Sequence, residues 1–217
     1  MEHHPRRPTC PQCARPLRTC LCRWVTPVDN RVEVLILQHP LEVGQAKGSA
    51  VLLQRSLGNS QLSTGEQFDA TALETLLHAG GRTSVLLYPD EAGDDQAVDN
   101  LPIRNIPTTG GRLRLVVLDG TWRKSRKLLH LNPALQRLPR LALVAPPPSQ
   151  YTIRKAHRPD QLSTLEATCL ALAQLEQAPA RYAPLLTAFS AFIGHLAATA
   201  ETAEAASADS GERGDEV

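Results

Sequence analysis

Four cysteines lie close together near the start of the chain, Cys10, Cys13, Cys20 and Cys22, in the pattern C-x2-C-x6-C-x-C. Thiolates carried on two short knuckles can close a tetrahedron around a zinc ion at about 2.3 Å per bond. A disulfide framework is the competing reading, and it is disfavoured where no secretory signal precedes the cysteines. Pro11, Pro16 and the surrounding arginines offer no local apolar core, so a structural zinc is expected to supply the folding energy of a knuckle over residues 1–26. The fifth cysteine, Cys169, falls in an apolar helical pattern and reads as a small buried hydrophobe.

A second set of reactive side chains follows short apolar runs. The run ending at Gln38 leads into His39-Pro40-Leu41-Glu42, the run ending at Tyr88 into Pro89-Asp90-Glu91, and the run ending at Leu118 into Asp119-Gly120-Thr121-Trp122. In open parallel sheets ligands sit beyond the carboxyl ends of the strands, which would put His39, Glu42, Asp90, Glu91 and Asp119 on one rim. Each segment also has a plain structural explanation. Pro40 and Pro89 end strands, and Asp119-Gly120-Thr121 makes an ordinary turn and helix cap.

The elements that must position these residues alternate along the chain. Val32–Gln38, Ser84–Tyr88, Leu113–Leu118 and Leu141–Ala145 are expected as buried strands. Ala46–Leu57, Asp69–Ala79 and Thr121–Leu131 are expected as helices between them, followed by Thr164–Glu176 and, after a break at Pro179, Tyr182–Ala198. Apolar β-branched runs separated by helices predict an α/β fold, a mostly parallel sheet with helices on both faces. Ser163-Thr164-Leu165-Glu166 is the S-x-x-E of a reciprocal helix cap.

The chain has 217 residues and a formal net charge of +1, but the balance is uneven. Residues 201–217 hold six acidic side chains against Arg213, so the body before them is net basic. That tail lacks large apolar residues before Val217, and residues 200–217 are expected to be disordered. From Gly120 to Pro159 there is no acidic residue, yet there are nine lysines and arginines. Such a stretch points to a polyanionic partner, the alternative being a solvated basic face. The longest apolar runs fall far short of the roughly 18 to 20 residues of a membrane span, so no membrane association is expected and a cytoplasmic location is. Walker, dinucleotide, serine-hydrolase and zinc-protease motifs are all lacking from the sequence.

These residues, taken in order, resemble the DTW-domain family of tRNA-uridine aminocarboxypropyltransferases. The matching pieces are the four-cysteine knuckle, His39-Pro40-Leu41-Glu42, Tyr88-Pro89-Asp90-Glu91, Leu118-Asp119-Gly120-Thr121-Trp122 with its D-x-T-W signature, Tyr151-Thr152-Ile153-Arg154-Lys155, and Leu162 to Ala167. Lys47-Gly48-Ser49-Ala50 departs from the Asn-Thr of many members, and no site residue is carried over from it. The resemblance implies a SPOUT-like catalytic domain over residues 27–199 with a knotted C-terminal S-adenosylmethionine site. It also implies transfer of the 3-amino-3-carboxypropyl group to N3 of a tRNA uridine, with methylthioadenosine released. A SPOUT-type RNA methyltransferase and a non-catalytic zinc-dependent RNA-binding module are the rival readings, and no obligate protein partner is expected.

On that resemblance Asp119 is expected to be the general base for the N3 proton, a role worth roughly 10² to 10⁴ in rate. Burial would raise its pKa and the neighbouring Arg123 and Lys124 would lower it. Tyr88, Pro89, Leu118, Gly120, Thr121, Trp122, Ala145, Tyr151, Ser163, Thr164 and Glu166 are expected around the cofactor. Trp122 is expected against its methionine part or sulfonium, or else as the anchor of its own helix. Arg123, Lys124, Arg126, Lys127, Arg154 and Lys155 are expected on tRNA phosphates.

Overall fold

The strands β1 (Glu33–Gln38) and β4 (Leu113–Asp119) form side by side because nearly every residue in them is buried, as a strand covered on both faces requires. The computed structural model describes residues 8–89, 112–143 and 162–211, with the backbone alone for 203–211. Five strands make one all-parallel sheet in the order β2-β1-β4-β3-β5, with β2 at Ser60–Thr64, β3 at Thr83–Leu87 and β5 at Arg140–Leu141. The register puts Gln38 beside Asp119, so the ends of β1 and β4 coincide.

Alternate side chains of the central strands feed two cores. Val34, Ile36, Leu115 and Val117 face α1 (Ala50–Ser56), α5 (Thr164–Leu175) and α6 (Pro179–Gly211). Leu35, Leu37, Val116 and Leu118 face α2 (Ala70–His78), α3 (Trp122–Leu131) and α4 (Pro133–Gln136). The result is the three-layer α/β arrangement expected from the alternation of apolar runs. Leu21, fully buried, joins the first of these cores, and Trp24 packs against it, so the cysteine segment is plugged into the body.

Several boundaries differ from expectation for physical reasons. Strand β2 (SQLST) was not anticipated because it is polar and only partly buried, pairing with β1 alone at the sheet edge. Helix α1 begins at Ala50 because residues 45–49 are drawn into a loop. Pro179 opens α6, where its missing N–H costs nothing, and Pro184 is accommodated inside the same helix. Helix α6 continues to Gly211, into an acidic tail whose alanines and glutamates are strong helix formers. Pro179–Thr202 of α6 is long and apolar enough to cross a membrane by length and composition, a stretch that the apolar runs in the sequence did not reveal. Its Tyr182, Leu185, Phe189, Phe192, Ile193 and Leu196 are buried in the first core. The connection from β5 to α5, residues 144–161, through which any knot would be threaded, lies outside the described residues.

Candidate active site and metal knuckle

The four sulfur atoms of Cys10, Cys13, Cys20 and Cys22 all lie within 4.8 Å of one another. Cys10 Sγ is 3.7 Å from Cys22 Sγ, and Cys13 Sγ is 3.8 Å from Cys20 Sγ. A tetrahedron with metal–sulfur bonds of about 2.3 Å has edges of about 3.8 Å, whereas a disulfide needs about 2.05 Å. The donor set therefore fits a tetrahedral thiolate-bound metal. Backbone N–H groups of Cys13 and Gln12 lower the Cys10 thiol to about 6. Burial, with the other thiols beside it, pushes Cys22 up to about 12. Bound metal would reverse the second effect, since a coordinating thiol is deprotonated outright.

The knuckle reaches the loop at residues 45–49 through Arg15. This buried side chain donates to Ala46 O at 2.9 Å and to Gly48 O at 2.8 Å, and burial lowers the pKa of its guanidinium. Ala46 and Gly48 belong to the loop that walls a cavity of about 420 Å³, within the roughly 300–1,000 Å³ of small-molecule sites. The other walls are the β4–α3 turn, with Asp119, Gly120, Thr121 and Lys124, and the N-terminus of α5, with Ser163 and Thr164. The chain leaves β1 toward β2 and β4 toward the opposite side of the sheet, so this crevice is a topological switch point.

Asp119 is buried at the cavity edge, and its carboxylate accepts a hydrogen bond from Gln38 Nε2 at 2.9 Å. Gly120 is small because a Cβ there would meet Lys124 Cβ at 3.0 Å. His39 is buried with both ring nitrogens engaged: Nδ1 accepts from Leu41 N–H at 3.1 Å, which leaves Nε2 to donate to Glu66 at 2.6 Å. That pattern makes His39 a structural brace for the rim.

Of the residues expected at the cofactor, Gly120, Thr121, Ser163 and Thr164 line the cavity with Asp119. Leu118 points into the second core. Glu166 accepts from Ser163 N–H at 2.9 Å while Ser163 Oγ accepts from Glu166 N–H, the reciprocal cap read from the sequence. Tyr88 and Trp122 stack on one another and, with the exposed Pro89, stand outside the cavity lining. Asp90, Glu91, Ala145, Tyr151, Arg154 and Lys155 lie outside the described residues. Sequence reading left out Gln38, Lys47, Gly48 and Ser49. Gln38 was visible only as a strand end, and residues 47–49 only as the segment that departs from the Asn-Thr of many family members.

The acid-free stretch is less bare in three dimensions. Lys124 pairs with Glu42 at 2.8 Å, Lys127 with Glu66 at 2.9 Å, and Arg137 with Glu74. Lys127 and His39 hold the Glu66 carboxyl below its ordinary range. Arg123 and Arg126 are exposed on the outer face of α3 and form no ion pair among the described residues.

A family model described as the DTW domain matches residues 7–197. The chain is 32% identical over 182 residues to tRNA-uridine aminocarboxypropyltransferase 2 of Drosophila melanogaster, covering 80% of this chain and 69% of that protein. It is 31% identical over 185 residues to the enzyme of the same name in Mus musculus, covering 82% of this chain and 59% of the relative. Against tRNA-uridine aminocarboxypropyltransferase A of Arabidopsis thaliana the identity is 27% over 154 residues, covering 63% and 55%. No solved structure matches the chain significantly.

Proposed function

Because the chain belongs to the DTW-domain family, we propose that it is a tRNA-uridine aminocarboxypropyltransferase acting at uridine N3, with S-adenosylmethionine as donor and zinc in its cysteine knuckle. The observation that supports this most is the meeting of two family-matched segments, 119–121 and 163–164, across one cavity. The walls suit the donor chemically. Lys124 and the N-terminal amides of α5 would hold its carboxylate, and Glu42 and Asp119 favour its cationic groups. When bound, S-adenosylmethionine would supply an electrophilic carbon beside its sulfonium, with methylthioadenosine as the leaving product.

The protein's own part is to orient and deprotonate. Gln38 fixes the Asp119 carboxylate at the cavity edge, where it takes the N3 proton of uridine and leaves the nitrogen lone pair for bond formation. Which carbon is attacked follows from how the walls turn the donor, so the loop at 45–49 and the Gly120 turn select the group transferred. At the knuckle, zinc would close the four thiolates and so hold Arg15 against that loop.

Nucleoside mass spectrometry of tRNA from cells with and without the protein tests the reading. Loss of an aminocarboxypropyl-uridine in the deletion, with methylthioadenosine formed by the purified protein, is expected. S-adenosylhomocysteine instead would assign a methyltransferase, and neither product a binding module.

A further inference from the structure

Asp119 has the donor cavity on one side. At the end of the neighbouring strand β3 stands an aromatic pair that does not line this cavity. Tyr88, the residue after β3, is buried, and Trp122, the first residue of α3, stacks on it with ring centroids 5.2 Å apart and planes 21° from parallel. The Arg140 guanidinium lies over Tyr88 at 5.5 Å, completing a column. Trp122 nevertheless stays 41% exposed although Tyr88 covers one face of its ring. A tryptophan serving only to anchor its helix would be buried, as the core residues Leu128 and Leu129 of α3 are. The exposed Arg123 and Arg126 flank it on the same helix.

We infer that Trp122 is a stacking platform for a nucleobase of the RNA substrate, extending the Arg140–Tyr88–Trp122 column by one ring; this rests on the reading above that the substrate is tRNA. Stacking engages the π-face of a base and leaves its Watson–Crick edge, which carries uridine N3, free for chemistry. A base leaving its own helix loses stacking, and an aromatic face already held by Tyr88 replaces it without ordering a mobile side chain. Trp122 and Asp119 are three residues apart across the β4–α3 turn, so a base stacked on the ring is held at the same strand end as the proton acceptor.

The test uses the full chain in a Trp24→Phe background, which leaves Trp122 as the sole tryptophan. Unmodified tRNA from cells lacking the protein should quench Trp122 emission saturably. Trp122→Leu keeps an apolar cover on Tyr88 without a π-face, and should weaken tRNA binding about 5- to 150-fold. Trp122→Phe should restore most of that affinity, and calorimetric affinity for S-adenosylmethionine should be unchanged in both. Wild-type tRNA affinity in Trp122→Leu, or unquenched emission at saturation, would overturn the platform, as would a matching loss of S-adenosylmethionine binding, which would place the ring in the donor site. A wild-type protein that quenches with tRNA yet forms no methylthioadenosine would sink the transferase reading and leave the platform standing.

Discussion

The cysteine knuckle and the rim at the ends of β1 and β4 are both small constellations of reactive side chains, but they are held in opposite ways. The rim is set by the sheet: His39 N–H bonds to Asp119 O at 3.0 Å, and the paired register of β1 and β4 brings Gln38 to the Asp119 carboxylate. Among the described residues of the knuckle Leu21 is the one fully buried side chain, and the shape comes from short turns and four converging sulfurs. One region is preorganised by the core beneath it, whereas the four sulfurs of the other would be closed by the metal proposed for them. Arg15 is where they meet, so the less self-sufficient region supports a wall of the more rigid one.

The largest effect that would sharpen this contrast is metal removal. Chelation should strip amide-exchange protection from residues 8–26 and from the 45–49 loop while leaving β1 and β4 protected; protection persisting in the metal-free knuckle would break the comparison. Lower pH should favour release, because Cys22, pushed up to about 12 without metal, must give up its proton to bind.

Next in size is the basic face. Arg123→Glu with Arg126→Glu should lower the slope of log affinity for tRNA against log salt by about two units, with S-adenosylmethionine binding unaffected. Adding Lys124→Glu and Lys127→Glu also breaks the pairs with Glu42 and Glu66, so that variant should lose fold stability in a melting experiment, and an unchanged melting temperature would deny those pairs any role.

Arg15→Met should keep one metal per chain and weaken S-adenosylmethionine binding by about tenfold in calorimetry, as two hydrogen bonds from a charged group are lost. Unchanged affinity would mean the knuckle and the cavity are independent. The smallest effect concerns Glu66, whose pKa is lowered by Lys127 and His39. A depressed carboxylate pKa stabilises the fold above the ordinary glutamate value and stops doing so as pH falls through the depressed one. The melting-temperature gap between wild type and Glu66→Gln should therefore be present at neutral pH and close in acid.

Much of this was legible in the residues. The central strands β1, β3 and β4 are apolar runs covered on both faces, and the S-x-x-E of α5 and the cysteine spacing carry their own geometry. Strand β2 was not legible because an edge strand of polar residues has no hydrophobic signature. Nor was the wall at residues 45–49, because Arg15, some thirty positions away, pulls it out of helix α1. The acid-free segment overstated its bare charge, since Glu42, Glu66 and Glu74 arrive from elsewhere in the chain. Trp122 had its place in a motif, but only the stacked Tyr88 and the exposed ring separate it from the cavity.

The central claim is that Asp119 removes the uridine proton at a rim built before any ligand arrives. Single-turnover transfer by Asp119→Asn, measured beside its affinities for tRNA and S-adenosylmethionine, tests it most directly, because asparagine keeps the size of the side chain but cannot take a proton. The account predicts a rate lower by about 10² or more with both affinities within a few-fold of wild type. Near-full turnover would contradict it, and so would loss of folding or of S-adenosylmethionine binding, which would make Asp119 a structural cap of α3.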